Sequence, residues 1–545
     1  MLQINKFTTI VLLLLITKSY SDVFMNWFND QHEEIIDTPI YLTVEGTIPS
    51  YVSGDLIRVG PSITNTDLKN YSNFLDSFGR ISKWSLNGNG KVGFMSSLIK
   101  SSVYNASFVY NQPSDISRHI FQEQTIPKTK IGKFDLNLMD NTDVNVFKFP
   151  KQTEILAMTD FHNMNIIDLN TLRTIGKVEF QDDNHDVPTG TLFSGSHPGT
   201  HIDKNTGEKM IVNWLGSMAV GGFELYIYKM GADMKRHIIG YYKLDYQPYS
   251  IHSIGVSDGL ATIIIAPVPL SSYKTAVDLC LTCCASDKIG EEPTQILIFN
   301  LEGESLSKNT SPVVDIIIPP EESFFVFHYL NHVVYWKEET IVSMDLCVYD
   351  SMDGVFGEYT LGNLETLRNV DKRNNMPYNC NHIKRIEINI DSKKVITHQE
   401  LPMIDSEGNN YYIELASIDP KKWGANACYA YGMTYHIGGS RHYEDMGIVK
   451  MDLCTAYKVS RGELPRNTTT VIYFNKNDTY VGEPLFVSQP GSDREDDGIL
   501  LVVSKNGKSD KTSLLVIDAM KMKQIASIEA PFHTAFEFHG IFIEA

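Results

Sequence analysis

Four of the sixteen histidines in this chain share one kind of setting. His197 lies in GSHPGTHID, His252 in YSIHSIGV, His328 in FVFHYLNH and His539 in FEFHGIF, each among apolar or small residues and not in a charged run. Neutral imidazoles suit first-row metals, and four of them on an octahedral ion leave two positions open for dioxygen or a substrate atom. A zinc site would instead usually close with four ligands. Four unrelated core histidines would give the same local patterns, so spacing alone leaves both readings open. His539 stands among the last seven residues, where chains usually fray unless something ties them down. His162, His201, His332 and His533 flank these motifs and read as structural or surface residues, with His201 and His332 able to stand in for a neighbour.

Residues this far apart can meet on the axis of a closed β architecture, where strand ends from several blades converge. The sequence supplies the strands. Runs such as KMIVNWLG, FELYIYKM, ATIIIAPV and TQILIFNL recur between clusters of Gly, Asn, Asp and Pro, the punctuation of an all-β fold. Asn506-Gly507, set between two Val/Leu-rich segments, predicts a hairpin. Long amphipathic helices are hard to find, and no linker rich in Pro or Gly/Ser divides the chain, so residues 22–545 are expected to form one domain. No repeat with a WD or kelch signature is visible.

The 545 residues carry a formal charge of -19 and no basic-aromatic patch, which argues against nucleic acid as a partner because phosphate binding draws on Lys and Arg. At the N-terminus Lys6 precedes TTIVLLLLIT, and the small Ser19 and Ser21 follow. Residues 1–21 read as a cleaved secretory signal, the apolar stretch being short for a membrane span. Sequons at Asn70, Asn105, Asn309, Asn467 and Asn477 agree with a secreted or lumenal glycoprotein. In an oxidising lumen the cluster of Cys280, Cys283 and Cys284 reads as disulfide-forming, and seven cysteines leave one thiol unpaired.

The motifs resemble those of the carotenoid cleavage oxygenases, in particular the animal branch that holds β-carotene dioxygenases and the retinoid isomerohydrolase of the visual cycle. GDLIRVGPS is similar to the family's G-x-L-x-R-x-G-P and the closing FHGIF to its F-H-G-L-F, so the likeness spans nearly the whole chain. The resemblance implies a seven-bladed β-propeller with an apolar loop cap, and an axial iron held by four histidines. His197-Pro198 resembles the family's A-H-P-H-Y-D, with two extra residues before His201; HSIG resembles H-S-F-G at His252; Phe327 to Asn331 resembles F-H-x-x-N at His328; the last ligand is His539. Three glutamates orient such histidines in the family. Glu414 in YIELASID and Glu483 in YVGEPLFV match two of them, while Asp160 stands in AMTDFHN where the family has A-L-T-E-T-N. Aspartate is one methylene shorter, so it is expected to reach its histidine through a backbone shift or a water.

Two further departures are visible. The family's D-G-Q-A-L-L-H-K-F appears as DSFGRISKW, recognisable at Asp76, Lys83 and Trp84, and its P-D-P-C-K-x-I-F appears as SDISRHIF with Ser117 in place of the cysteine. The segment Ile263 to Tyr273, with CLTCC, is expected either to form an apolar lip touching a membrane surface, as in the family, or to be a buried strand and a disulfide loop. The implied function is an Fe(2+) dioxygenase that cleaves a carotenoid or apocarotenoid double bond into carbonyl products, with dioxygen as co-substrate. No Ser/His/Asp or paired-carboxylate motif is present, and none is needed for this chemistry. Two alternatives use the same fold: a retinoid ester isomerohydrolase, and a secreted propeller that binds an apolar ligand or a protein without catalysis.

Overall fold

The computed structural model describes residues 23–66, 70–71, 73–88, 90–109, 125–126, 138–182, 191–204, 206–219, 222–248, 251–270, 292–302, 311–336, 338–349, 364–369, 371, 381–434, 446–534 and 536–545. Seven antiparallel sheets of four or five strands follow one another along the chain and close into a seven-bladed propeller. The innermost strands touch from blade to blade: Gly255–Ser257 of blade 4 lies against Phe325–Trp336 of blade 5, which meets Glu414–Ser417 of blade 6, which in turn meets Thr479–Ser488 of blade 7.

The apolar runs are long because a blade is packed on both faces. Leu260–Ile265, the second strand of blade 4, is buried at every position, whereas the outer strand of blade 5, Lys394–Leu401, is largely exposed or half-buried. Among the described residues the core is divided and not single. A separate apolar cluster fills each blade interface, for example Val212, Trp214 and Leu225 against Ile263 and Phe299 between blades 3 and 4. Another sets Leu330 and Ile383 against Ala430 and Val449 between blades 5 and 6. Burial on both faces thus joins each blade to two neighbours, and an open ring would expose two apolar blade faces.

Closure uses both ends of the chain. Ile35–Leu42 forms the outer edge of blade 1, and Val44–Gly46 crosses to the outer edge of blade 7. At the axis, His539–Glu544 becomes the inner strand of blade 1, pairing antiparallel with Ser53–Ile63 so that Val59 faces His539 and Gly54 faces Glu544. This strand is what ties down the tail. Gly540 is required in it: a Cβ there would stand 2.0 Å from the Ile57 carbonyl oxygen.

The hairpin expected at Asn506-Gly507 is present, but its turn is longer than the dipeptide. Gly498–Asn506 pairs with Lys511–Asp518, and the Asn506 side-chain oxygen accepts the N–H groups of Lys508 and Ser509 within a four-residue loop. The longest helix among the described residues is Leu453–Ser460, fastened to Cys428 by a Cys428–Cys454 disulfide. Cys347 is a free, buried thiol, while Cys280, Cys283 and Cys284 lie outside the described residues, as do residues 1–21, expected to be a signal, and Ser117. Of the two readings of the segment that starts at Ile263, the buried strand holds as far as Val268. Ile263 to Val268 is buried within blade 4 and its interfaces, and so cannot face a membrane; residues 271–273 and CLTCC lie outside the described residues. No described helix is long and apolar enough to cross a membrane.

Candidate metal centre

The four axial histidines arrive from different blades. His197 sits where the inner edge of blade 3 is interrupted, between Thr191–Ser194 and Gly199–Ile202. Its neighbour Pro198 has no N–H to extend the ladder, and the main chain of His197 turns instead to the next blade: its N–H donates to the His252 carbonyl at 3.2 Å, and its carbonyl accepts from Ile254 at 3.3 Å. Two of the four are therefore brought together by backbone pairing. His328 comes from the inner strand of blade 5 and His539 from the closing strand.

Their candidate ligand nitrogens all lie within 4.8 Å of one another. Nitrogens trans to each other on one ion at ~2.1 Å stand about 4.2 Å apart, so a small contraction suffices to hold a first-row ion. His539 is buried, and His252 and His328 expose 11% and 12% of their side chains. The Nε2 atoms of His197 and His328 are buried without a hydrogen-bond partner among the described residues, an arrangement that costs ~1–3 kcal/mol per atom unless something satisfies it. An ion bound by Nε2 would do so. The donor set therefore fits a metal.

Three carboxylates hold the opposite ring nitrogens. The Nδ1 of His252 lies 3.0 and 3.1 Å from the two oxygens of Asp160, that of His328 lies 2.7 Å from Glu414, and that of His539 lies 2.9 Å from Glu483. An Nδ1–H donated to a carboxylate turns the Nε2 lone pair toward the cluster. Asp160 makes its contact directly, so the shorter side chain needs no bridging water. His197 has an amide in place of a carboxylate: Nδ2 of Asn145 is 3.2 Å from its Nδ1. Oδ1 of Asn145 accepts from Val146 and Nδ2 also donates to the Ser196 carbonyl, which fixes the amide.

Burial, with the other three imidazoles adding to it, holds His197 well below the usual imidazole range. For His328 burial acts in the same direction but the Glu414 carboxylate prevails, so its pKa rises. Burial would raise Glu414, yet His328, the Leu415 N–H and the Tyr349 hydroxyl together hold it well below the carboxylate range. Leu415 itself has φ 45, a left-handed conformation unusual for a leucine, and backbone strain of this kind collects at functional sites. The Phe327 ring packs between His252 and Tyr349, lending the centre an apolar wall.

The flanking histidines stay out of the cluster. His332 is buried between the hydroxyls of Ser257 and Thr262, and His533 meets the Asn29 carbonyl. His201 pairs within blade 3, and His162 is not part of the group. Sequence reasoning missed Asn145, Ser196, Tyr349 and Arg58, the last of which bonds Glu483. Arg58 lies inside the motif GDLIRVGPS, but nothing local marks it or Tyr349 as a support of a metal site.

A seven-bladed β-propeller with four histidines gathered at its axis, positioned for a metal centre, is the class these features define. The family model described as RPE65, retinal pigment epithelial membrane protein, matches residues 28–544. The chain thus belongs to the carotenoid cleavage oxygenase family. It is 22% identical to the mitochondrial carotenoid-cleaving dioxygenase of Mustela putorius furo, covering 92% of this chain and 93% of that one. It is also 22% identical to the chloroplastic carotenoid cleavage dioxygenase 8 of Arabidopsis thaliana, covering 92% and 83%. Among solved structures, a glutamate-to-aspartate mutant of the Synechocystis apocarotenoid oxygenase superposes with a TM-score of 0.75 at 20% identity, over 97% of this chain and all of that one.

Proposed function

We propose that this chain is a non-haem iron(II) dioxygenase that cleaves a double bond of a carotenoid or apocarotenoid, with dioxygen, into two carbonyl products. The observation that carries the reading is the four-histidine cluster with a carboxylate on three of its rings, in a chain whose relatives are named carotenoid-cleaving dioxygenases. Neutral imidazoles with no thiolate among them suit ferrous iron. When bound, iron supplies the electron-transfer chemistry that lets dioxygen react with a closed-shell polyene.

The protein's own part is to hold and to exclude. His197, His252, His328 and His539 would bind the ion; Asp160, Glu414 and Glu483 keep their Nδ1 protons and ring orientations, and Asn145 serves His197. Phe327 keeps one wall apolar, which suits a polyene and excludes water. No side chain has to transfer a proton.

We also propose that the chain enters the secretory pathway. The N-terminal pattern supports this, as do the Cys428–Cys454 bridge and the exposed sequon residues Asn467 and Asn477. Glycosylated protein in the culture medium is the expected result, and unglycosylated protein retained in cells would refute it.

The function is tested by elemental mass spectrometry on the natively purified chain beside a His539→Ala control. About one equivalent of iron, lost in the control, is expected, followed by oxygen-dependent cleavage in a screen of carotenoids and apocarotenoids. Absence of iron after anaerobic ferrous reconstitution would overturn the reading in favour of a non-catalytic binding propeller. Ester turnover without oxygen uptake would mark an isomerohydrolase.

A further inference from the structure

The three carboxylates behind the histidines are not held alike. Each contacts one imidazole, and the second oxygen of each is placed differently. Both oxygens of Asp160 lie close to the same His252 nitrogen. The second oxygen of Glu414 accepts from the neutral Tyr349 hydroxyl at 2.8 Å. The second oxygen of Glu483 is taken by a guanidinium, Nη1 of Arg58 at 2.5 Å.

Arg58 is 1% exposed and holds more than the carboxylate. Its Nη2 donates to the main-chain carbonyls of Glu537 at 3.2 Å and Phe538 at 3.0 Å, the two residues that lead into His539. It belongs to Ser53–Ile63, the strand with which the closing strand pairs, and lies opposite Gly540. One planar fork thus grips blade 1, blade 7 and the tail, at the point where the tail delivers a histidine. A guanidinium fixes several acceptors in one geometry, which an ammonium cannot do.

We propose that Arg58 is a positioning residue of the metal centre, and that through it closure of the propeller ring and loading of the centre are one linked equilibrium. The inference rests on the metal-centre reading and not on the cleavage reaction. The physical reason is that His539 can meet an ion only when its strand is docked, and a ligand that binds only the docked form stabilises docking by mass action. Arg58 makes docking specific, since the strand, Glu483 and the His539 ring are all set by the same side chain.

The test is an anaerobic titration of the full chain with Co2+, read by its ligand-field absorption, for the wild type, Arg58→Met and Arg58→Lys. Loss of a group that orients a ligand typically weakens metal binding about 10- to 100-fold, and that range is expected for Arg58→Met with an altered spectrum. Arg58→Lys, which keeps the charge but loses the fork, should fall between. Wild-type affinity and spectrum in Arg58→Met would overturn the proposal, because a merely structural arginine would lower only the thermal midpoint of the metal-free protein. Should Arg58→Met fail to fold, hydrogen exchange on the wild type decides. Co2+ should slow exchange in His539–Glu544 and Ser53–Ile63 more than in Lys394–Leu401 of blade 5, and equal slowing would overturn the linkage. A wild type that binds no Co2+ overturns the metal-centre reading together with this one. Normal Co2+ binding that depends on Arg58, without carotenoid cleavage by the iron form, refutes only the dioxygenase.

Discussion

The carboxylate of Asp160 meets the Nδ1 of His252 at 3.0 Å although the two residues are 92 positions apart. One methylene less than a glutamate has not cost the contact. The hydroxyl of Ser196 lies 3.1 Å from the same nitrogen and offers it a second partner. Asp160→Asn keeps the shape and removes the charge, so it should weaken metal affinity about 10- to 100-fold while the protein stays folded. A Co2+ competition titration beside circular dichroism measures both, and unchanged affinity would assign Asp160 a purely structural part.

His252→Ala and His328→Ala should each abolish iron binding without unfolding the propeller, because neither residue belongs to the apolar clusters that join the blades. Each change also strips a carboxylate of its imidazole: Asp160 loses His252, whereas Glu414 loses His328 but keeps the Tyr349 hydroxyl and the Leu415 N–H. A stability loss of ~1–3 kcal/mol is expected for either variant. Elemental analysis and urea unfolding check the pair, and full activity in either variant would end the iron proposal.

Ring closure has its own sensitive position. Gly540→Val places side-chain atoms against the Ile57 carbonyl, where even a Cβ would stand 2.0 Å away. The strand must shift or detach, and a loss of about 3 kcal/mol is expected from overpacking of this kind. The same substitution should weaken metal binding, since His539 precedes it. Thermal unfolding with and without Co2+ separates the two effects.

Glu34 ties the first strand to blade 1. Its carboxylate accepts from the Leu98 N–H at 2.8 Å, the Ser97 hydroxyl at 3.1 Å and Lys100 Nζ at 2.9 Å. Burial pushes its pKa up, but the Lys100 ammonium and the other donors pull it below the ordinary value. A depressed carboxylate contributes stability that is present above its unfolded pKa of about 4.3 and is lost as pH falls through the folded value. Glu34→Gln should then cost at most about 1 kcal/mol at pH 7 and less near pH 3. Urea titrations at the two pH values test the sign.

Reduction of the Cys428–Cys454 bridge removes a cross-link between residues 26 apart. The chain-entropy account predicts a loss of about 3.5 kcal/mol for a loop of that size. The helix Leu453–Ser460 should loosen first, as it is held at its start by the bridge and by Asp452 capping Thr455. Denaturant unfolding with and without reductant, and of a Cys428→Ser/Cys454→Ser variant, measures the effect.

Much of the architecture was legible because its signals are local. Apolar runs broken by Gly, Asn and Pro mark strands wherever both faces are to be buried, as in Leu260–Ile265. The same signal left two readings open where an apolar segment could face either a neighbouring blade or a membrane, because burial and lipid contact ask for the same residues. The Asn506-Gly507 signal located a hairpin but not its loop length, which the Asn506 side chain sets by accepting from Lys508 and Ser509.

By itself the sequence determined the strand content, and it supplied the residue types that can bind a metal: four histidines in apolar settings, with carboxylates at Asp160, Glu414 and Glu483. Only the tertiary structure decided that those histidines share one point on an axis and which carboxylate serves which ring. It alone decided that Asn145 serves His197, and that Arg58 reaches Glu483 and the Phe538 carbonyl, 425 and 480 positions away. The reason is physical. Hydrophobic periodicity is written in neighbouring residues, whereas a contact across a closed ring exists only once every blade has packed and both ends of the chain have been drawn into the first and last sheets.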